Sequence, residues 1–255
     1  MNFLLNNNFV FNKYNIFLQK QFTMTQVTKS FQNFISLLYP DLCPACGNTL
    51  LKNELFLCTP CLFEMPRLRN HEDKDNEVSR LFWGRVYIHN ATAYFYYTKK
   101  SRYQKLIHKL KYQGYKNIGL EMGKMLGKEL LQSPSYKDLD AVVPVPMHPK
   151  KEKIRGYNQS EVIAQGVCES MGIELYGKCL ERVEMHDSQT KKNRTERWEG
   201  IKSDYRITDK YEIKGKHVLL VDDVITTGAT IEACASQLLL RESKVSVAAL
   251  GVTGI

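Results

Sequence analysis

The chain has 255 residues, of which 43% are hydrophobic, enough for a buried core in one large domain or a medium domain with a small appendage. No run approaches eighteen uninterrupted apolar residues, so no membrane-spanning helix is predicted, and the composition is not that of a disordered or fibrous chain. A formal net charge of +9 favours an anionic partner, either a phosphorylated small molecule or nucleic acid, without choosing between them.

Residues 1–23 are rich in Asn, Phe and Leu without a period and carry no convincing export signal; the expected natural start is Met24. From Thr25 to Tyr39, apolar residues Val27, Phe31, Phe34, Ile35 and Leu38 recur at helical spacing, which predicts an amphipathic helix ending before Pro40. Two knuckles follow, Cys43-Pro44-Ala45-Cys46 and Cys58-Thr59-Pro60-Cys61. Paired Cys-x-x-Cys turns suit tetrahedral coordination of Zn2+ by four thiolates, and four protein ligands leave no open position, so such a metal would be structural. The other reading is thiols that are merely buried or redox-active. The export-free, metal-suited cysteine usage points to the cytoplasm.

His71 to Glu77 is charged and aperiodic and reads as an exposed linker, so the expected division is a helix and zinc module over 24–70, a linker over 71–90 and a main domain over 91–255. Ala91 to Tyr97 is rich in strand formers, and Leu106, Ile107 and Leu110 mark one face of a basic helix. Lys99, Lys100, Arg102, Lys105, Lys109, Lys111 and Lys116, interleaved with Tyr103, Tyr112 and Tyr115, form a patch suited to single-stranded DNA through phosphate contacts and base stacking, or else a solvated helix face with its tyrosines inward. A second helix is expected over 120–131, then a strand over 141–146 closed by proline. A basic loop with Lys150, Lys151, Lys153 and Arg155 leads from it into a helix carrying Val162, Ile163 and Val167. Cys168, Cys179 and Cys234 lack partner spacing and read as small buried side chains.

The most informative stretch is Val218-Leu219-Leu220-Val221-Asp222-Asp223-Val224-Ile225-Thr226-Thr227-Gly228-Ala229-Thr230. Four apolar residues in a row predict a strand covered on both faces, two carboxylates mark its tip, and a short Gly-containing turn feeds a helix from Ile231 to Leu240. The first amides of such a helix have no intrahelical partner and sit at the positive end of its dipole, so a phosphate fits there. Thr226, Thr227 and Thr230 add hydroxyls, Gly228 and Ala229 leave the backbone approachable, and Asp222 and Asp223 suit ribose hydroxyls or a metal ion. A Walker-B strand is the rival reading, weakened because no Gly-x4-Gly-Lys-Ser/Thr loop occurs in the chain. The run Val245 to Val252 reads as a closing strand, and alternating strands and helices predict a doubly wound parallel α/β sheet.

Residues 218–230 resemble the phosphoribosyl-pyrophosphate (PRPP) signature of type I phosphoribosyltransferases. Val-Pro-Val-Pro at 143–146, His-Pro-Lys-Lys at 148–151 and Arg-Gly-Tyr-Asn-Gln at 155–159 narrow the resemblance to the ComF family of competence-associated proteins, over roughly 37–253. That resemblance implies a zinc module beside a phosphoribosyltransferase domain. It also implies PRPP bound with Mg2+, its 5′-phosphate on residues 226–230, its ribose on Asp222 and Asp223 as the catalytic pair, and its pyrophosphate facing the basic residues of 150–155. The segment Ser188 to Arg197 resembles that family's mobile loop over the site. Implied roles are phosphoribosyl transfer to an unidentified acceptor in DNA uptake with other competence proteins, a non-catalytic single-stranded DNA-binding accessory of uptake, or nucleobase salvage.

Overall fold

A computed structural model describes residues 40–183 and 204–254. The expected helix over 25–39 and the segment 188–197 lie outside the described residues. The described chain divides into two compact units, one holding Cys43 and Gly47–Cys58, the other Pro44–Cys46 and everything from Thr59 onward. In the first unit the Cys43 amide donates to the Asn48 carbonyl at 2.7 Å, the Gly47 amide to the Cys43 carbonyl at 2.8 Å, and Leu42 bridges Thr49 antiparallel, which closes a tight turn.

The second unit runs α1 (Thr59–Phe63), α2 (Glu77–Arg80), β1 (Ala91–Tyr96), α3 (Arg102–Tyr112), α4 (Lys116–Leu130), β2 (Ala141–Pro144), α5 (Pro149–Arg155), α6 (Gln159–Met171), β3 (Glu174–Leu175), β4 (Leu180–Arg182), β5 (Tyr205–Ile207), β6 (His217–Ile225), α7 (Ala229–Leu239) and β7 (Lys244–Val252). Strands β1-β7-β6-β2-β3 form one parallel sheet in that order, and β4 and β5 pair antiparallel beside it as a separate ribbon. The parallel α/β sheet expected from the alternating pattern is therefore present. The expected closing strand is β7, but it lies inside the sheet, between β1 and β6.

Val218, Leu219, Leu220 and Val221 are all fully buried, which in a pleated strand requires cover on both faces. Val218 and Leu220 share a core with Ile231, Cys234, Ala235 and Leu238 of α7, while α6 packs on β2 and β6. Helices α4 and α6 pack closely because glycines replace side chains at their contact: a Cβ built on Gly123 would stand 2.2 Å from the Ile163 carbonyl oxygen, and one on Gly166 2.1 Å from that of Leu120.

Two expectations change. The basic stretch after β2 is helical, not a loop: Pro149 supplies a preset φ at the first turn, the His148 ring accepts from the Lys150 amide at 3.2 Å, and Gly156 ends the helix with φ of 79°. Part of the segment read as an exposed linker is folded. Asn76 caps α2 through bonds from the Val78 and Ser79 amides, and Val78 and Phe82 are buried in the same core as β6 and α7.

Candidate functional site

Strand β6 continues through the acidic pair to Ile225, so Asp222 and Asp223 are strand residues whose side chains leave opposite sides of the pleat. Asp222 Oδ1 accepts from Ser160 Oγ at 2.9 Å and from the Asp223 amide at 2.8 Å. Ser160 is placed by the start of α6, where Asn158 Oδ1 accepts from the Ser160 amide at 3.1 Å and Asn158 Nδ2 donates to the Val145 carbonyl at 2.9 Å. Desolvation, reinforced by the neighbouring Asp223 charge, raises the Asp222 carboxyl above the ordinary aspartate range. Asp223 is only 8% exposed, and its Oδ1 lies 2.9 Å from Lys111 Nζ, at the last turn of α3.

Past the strand, Thr226, Thr227 and Thr230 are exposed, and Gly228 turns the chain into α7 with φ of 75°. Gly228 has no side chain to cap α7; the Ala229 amide donates to Thr227 Oγ1 at 3.4 Å, and the amides that follow sit at the positive end of the helix dipole, where an anion fits. The turn is held from behind. Arg85 Nη1 donates to the Thr227 carbonyl at 2.7 Å, Arg85 Nε donates to Glu232 at 3.0 Å, and a Cβ on Gly228 would stand 2.9 Å from the Phe82 ring. Phe82 and Arg85 belong to the stretch read as a linker. Their signal in the sequence was Val78 and Phe82 at a helical i, i+4 interval.

The basic residues Lys150, Lys151, Lys153 and Arg155 lie on α5, none of whose residues is buried. Because β2 runs parallel to β6, with Pro144 opposite Val221, α5 begins at the same carboxyl edge that carries the acidic pair. That edge is where open α/β sheets bind ligands. A cleft of about 260 Å³ opens there, lined by Pro146, Met147, Asn158, Lys178 and Arg182 among others. Arg155 bonds Gln159 Oε1 at 2.9 Å and lies 5.0 Å from the ring centre of Tyr112, so α5 and α3 meet through this residue. Tyr112 and Tyr115 are 63% and 50% exposed, whereas Tyr103 is buried with its hydroxyl donating to the Cys61 carbonyl at 2.9 Å. The basic patch is thus part stacking surface and part core.

The Sγ atoms of Cys43, Cys46, Cys58 and Cys61 all lie within 4.8 Å of one another. Four thiolates at zinc bond lengths stand roughly 3.8 Å apart around a tetrahedral ion, so this donor set fits zinc. The Cys58 amide points at Cys43 Sγ at 3.5 Å and Arg102 Nη1 at Cys61 Sγ at 3.6 Å, the kind of donors that stabilise thiolate charge. The remaining cysteines are of another kind. Burial pushes the thiol of Cys168 up to about 12 and that of Cys179 to about 11, and the Cys234 thiol up as well, leaving them inert packing groups.

The phosphoribosyl transferase domain family matches residues 158–252, from the cap of α6 to the end of β7. The DNA utilization protein YhgH of Salmonella typhi is 30% identical over 145 residues, covering 56% of this chain and 63% of that protein. Competence protein F of Haemophilus influenzae is 28% identical over 154 residues, covering 59% and 66%. Competence protein ComFC of Bacillus subtilis is 31% identical over 123 residues, covering 45% of each. The chain therefore spans less than two thirds of the length of these relatives.

Proposed function

We propose, for a chain that carries a phosphoribosyl transferase domain and is homologous to DNA utilization and competence proteins, that it binds PRPP and transfers its phosphoribosyl group to a nitrogen acceptor in the handling of incoming DNA. The observation that carries this reading is the continuous run from the acidic pair on β6 to the Gly228-led start of α7, at the carboxyl edge of a parallel sheet.

In this reading the 5′-phosphate sits on the amides and hydroxyls of residues 226–230, where the helix dipole and threonine donors complement its charge. Asp222 and Asp223 accept hydrogen bonds from the ribose hydroxyls and stabilise positive charge as the anomeric carbon loses pyrophosphate. Lys150, Lys151, Lys153 and Arg155 receive that leaving group. The two carboxylates are hard oxygen donors that suit Mg2+, which when bound would neutralise charge on the pyrophosphate. Lys111 now balances Asp223, so ligand arrival exchanges one cationic partner for another. The four-cysteine cluster, in the same reading, takes zinc as a structural ion in a small module that precedes the transferase domain.

The test is titration calorimetry with PRPP and Mg2+, followed by pyrophosphate release with a panel of nitrogen nucleophiles. Binding by the wild type, weakened about tenfold or more in Asp223→Asn, is expected; absence of wild-type binding rejects the proposal. A second reading is a non-catalytic single-stranded DNA-binding accessory. It is favoured by exposed Tyr112 and Tyr115 with Arg155 and Lys109 respectively placed over their rings, 5.0 and 5.5 Å from the centroids. It predicts DNA affinity that falls steeply with salt, lost in Tyr112→Ala and Tyr115→Ala, without pyrophosphate release.

A further inference from the structure

A cavity of about 430 Å³ lies apart from the acidic pair, lined by Arg67, Arg69, His71, Tyr94, Met125, Lys128, Glu129 and Gln132. It sits at the outer edge of the sheet, where the chain before β1 runs back along that strand. Arg67 bridges Phe95 antiparallel, the Leu68 amide donates to the Tyr94 carbonyl at 3.3 Å, and the Tyr96 amide to that of Pro66 at 2.9 Å. The opposite wall is the last turn of α4, and neither Asp222 nor Asp223 lines the cavity.

Its floor is built. Glu129 is 6% exposed and is bonded by Arg67, while His71 Nδ1 lies 3.0 Å from its other oxygen. The Arg67 guanidinium also lies over the Tyr94 ring, 3.8 Å from its centre. That arrangement satisfies one cation and one carboxylate. It leaves Arg69 and Lys128, exposed at the rim, as two further positive charges. Arg67 Nε is buried without a hydrogen-bond partner among the described residues, a donor for which the fold itself supplies no acceptor.

We propose that this cavity is a second binding site, for a small phosphate monoester of nucleoside monophosphate size. The two rim cations match the nearly doubly charged phosphate at neutral pH. Gln132, with both donors and acceptors, can read an amino-bearing base. The cavity is too large for phosphate alone and falls within the range of small-molecule sites.

The probe is AMP, titrated calorimetrically into the full chain. Saturable binding is expected, with adenosine failing to compete and inorganic phosphate competing weakly. Arg69→Ala combined with Lys128→Ala changes only exposed side chains and should weaken AMP binding about tenfold or more at unchanged thermal stability. Thr226→Ala combined with Thr227→Ala, in the other anion-binding turn, should leave it intact. Absence of AMP binding at millimolar ligand, or binding lost in the threonine pair but kept in the rim pair, overturns the proposal.

Discussion

Replacing Gly228 by alanine tests whether the phosphate turn is held by packing as well as by backbone conformation. Gly228 has φ of 75°, and the new Cβ would stand 2.9 Å from the Phe82 ring. Gly215 is a matched control, because its φ of 71° is nearly the same and nothing lies within 4 Å of its Cβ position. Both variants incur the left-handed penalty of an L-residue, about 1–2 kcal/mol. Only Gly228→Ala must also move a ring that is buried in the core, which adds about 1–2 kcal/mol of overpacking. For a domain of this size each kcal/mol lowers the melting temperature by about 2–4 °C. Gly228→Ala should therefore melt about 2–8 °C below Gly215→Ala in a thermal scan followed by circular dichroism. In the proposed function it should also lose PRPP affinity by calorimetry, because moving Phe82 disturbs the carbonyl that Arg85 holds. Equal melting temperatures for the two variants would refute the claim that Phe82 packs the turn in place.

Lys111→Met leaves the nearly buried Asp223 carboxylate without its cation and should cost about 1–3 kcal/mol in urea unfolding at neutral pH, less than a fully buried pair because Lys111 is itself partly exposed. Asp222→Asn keeps an acceptor for Ser160 and removes a carboxyl whose pKa is raised by folding. Between the ordinary aspartate range and that raised value the folded state binds more protons than the unfolded chain, so wild-type stability falls as pH climbs. The Asn variant should gain on the wild type across that window, and parallel stability curves from about pH 4 to pH 8 would contradict the assignment. Purified protein should contain about one zinc per chain, lost in Cys61→Ser; elemental analysis well below that ratio would remove the four-thiolate site.

The sheet was legible because its signals are local. Four consecutive apolar residues at 218–221, flanked by polar or charged residues on both sides, read as a strand covered on both faces, and the cysteine knuckles declare themselves by spacing. What escaped depends on partners far along the chain. Nothing near Lys111 announces Asp223, more than a hundred positions later, and Arg85 reads as one more surface charge until Thr227 and Glu232 are brought to it. The stretch after β2 was misread for a local reason: lysines and a glycine suggested a loop, while Pro149 and His148 begin a helix. At Val78 and Phe82 two buried residues were hidden in a charged context, where composition outweighed a short helical interval.

The sheet's strand order also bears on how the protein is made. β7 follows β1 and β6 in the chain, yet it sits between them and gives each of them its partner along one edge. A nascent chain that has not reached Lys244 can join β6 to β2 but must hold β1 apart, with the apolar edges of both strands open. Assembly of the sheet therefore waits for β7, and until that strand is in place chaperones that cover open strand edges should be found on the chain.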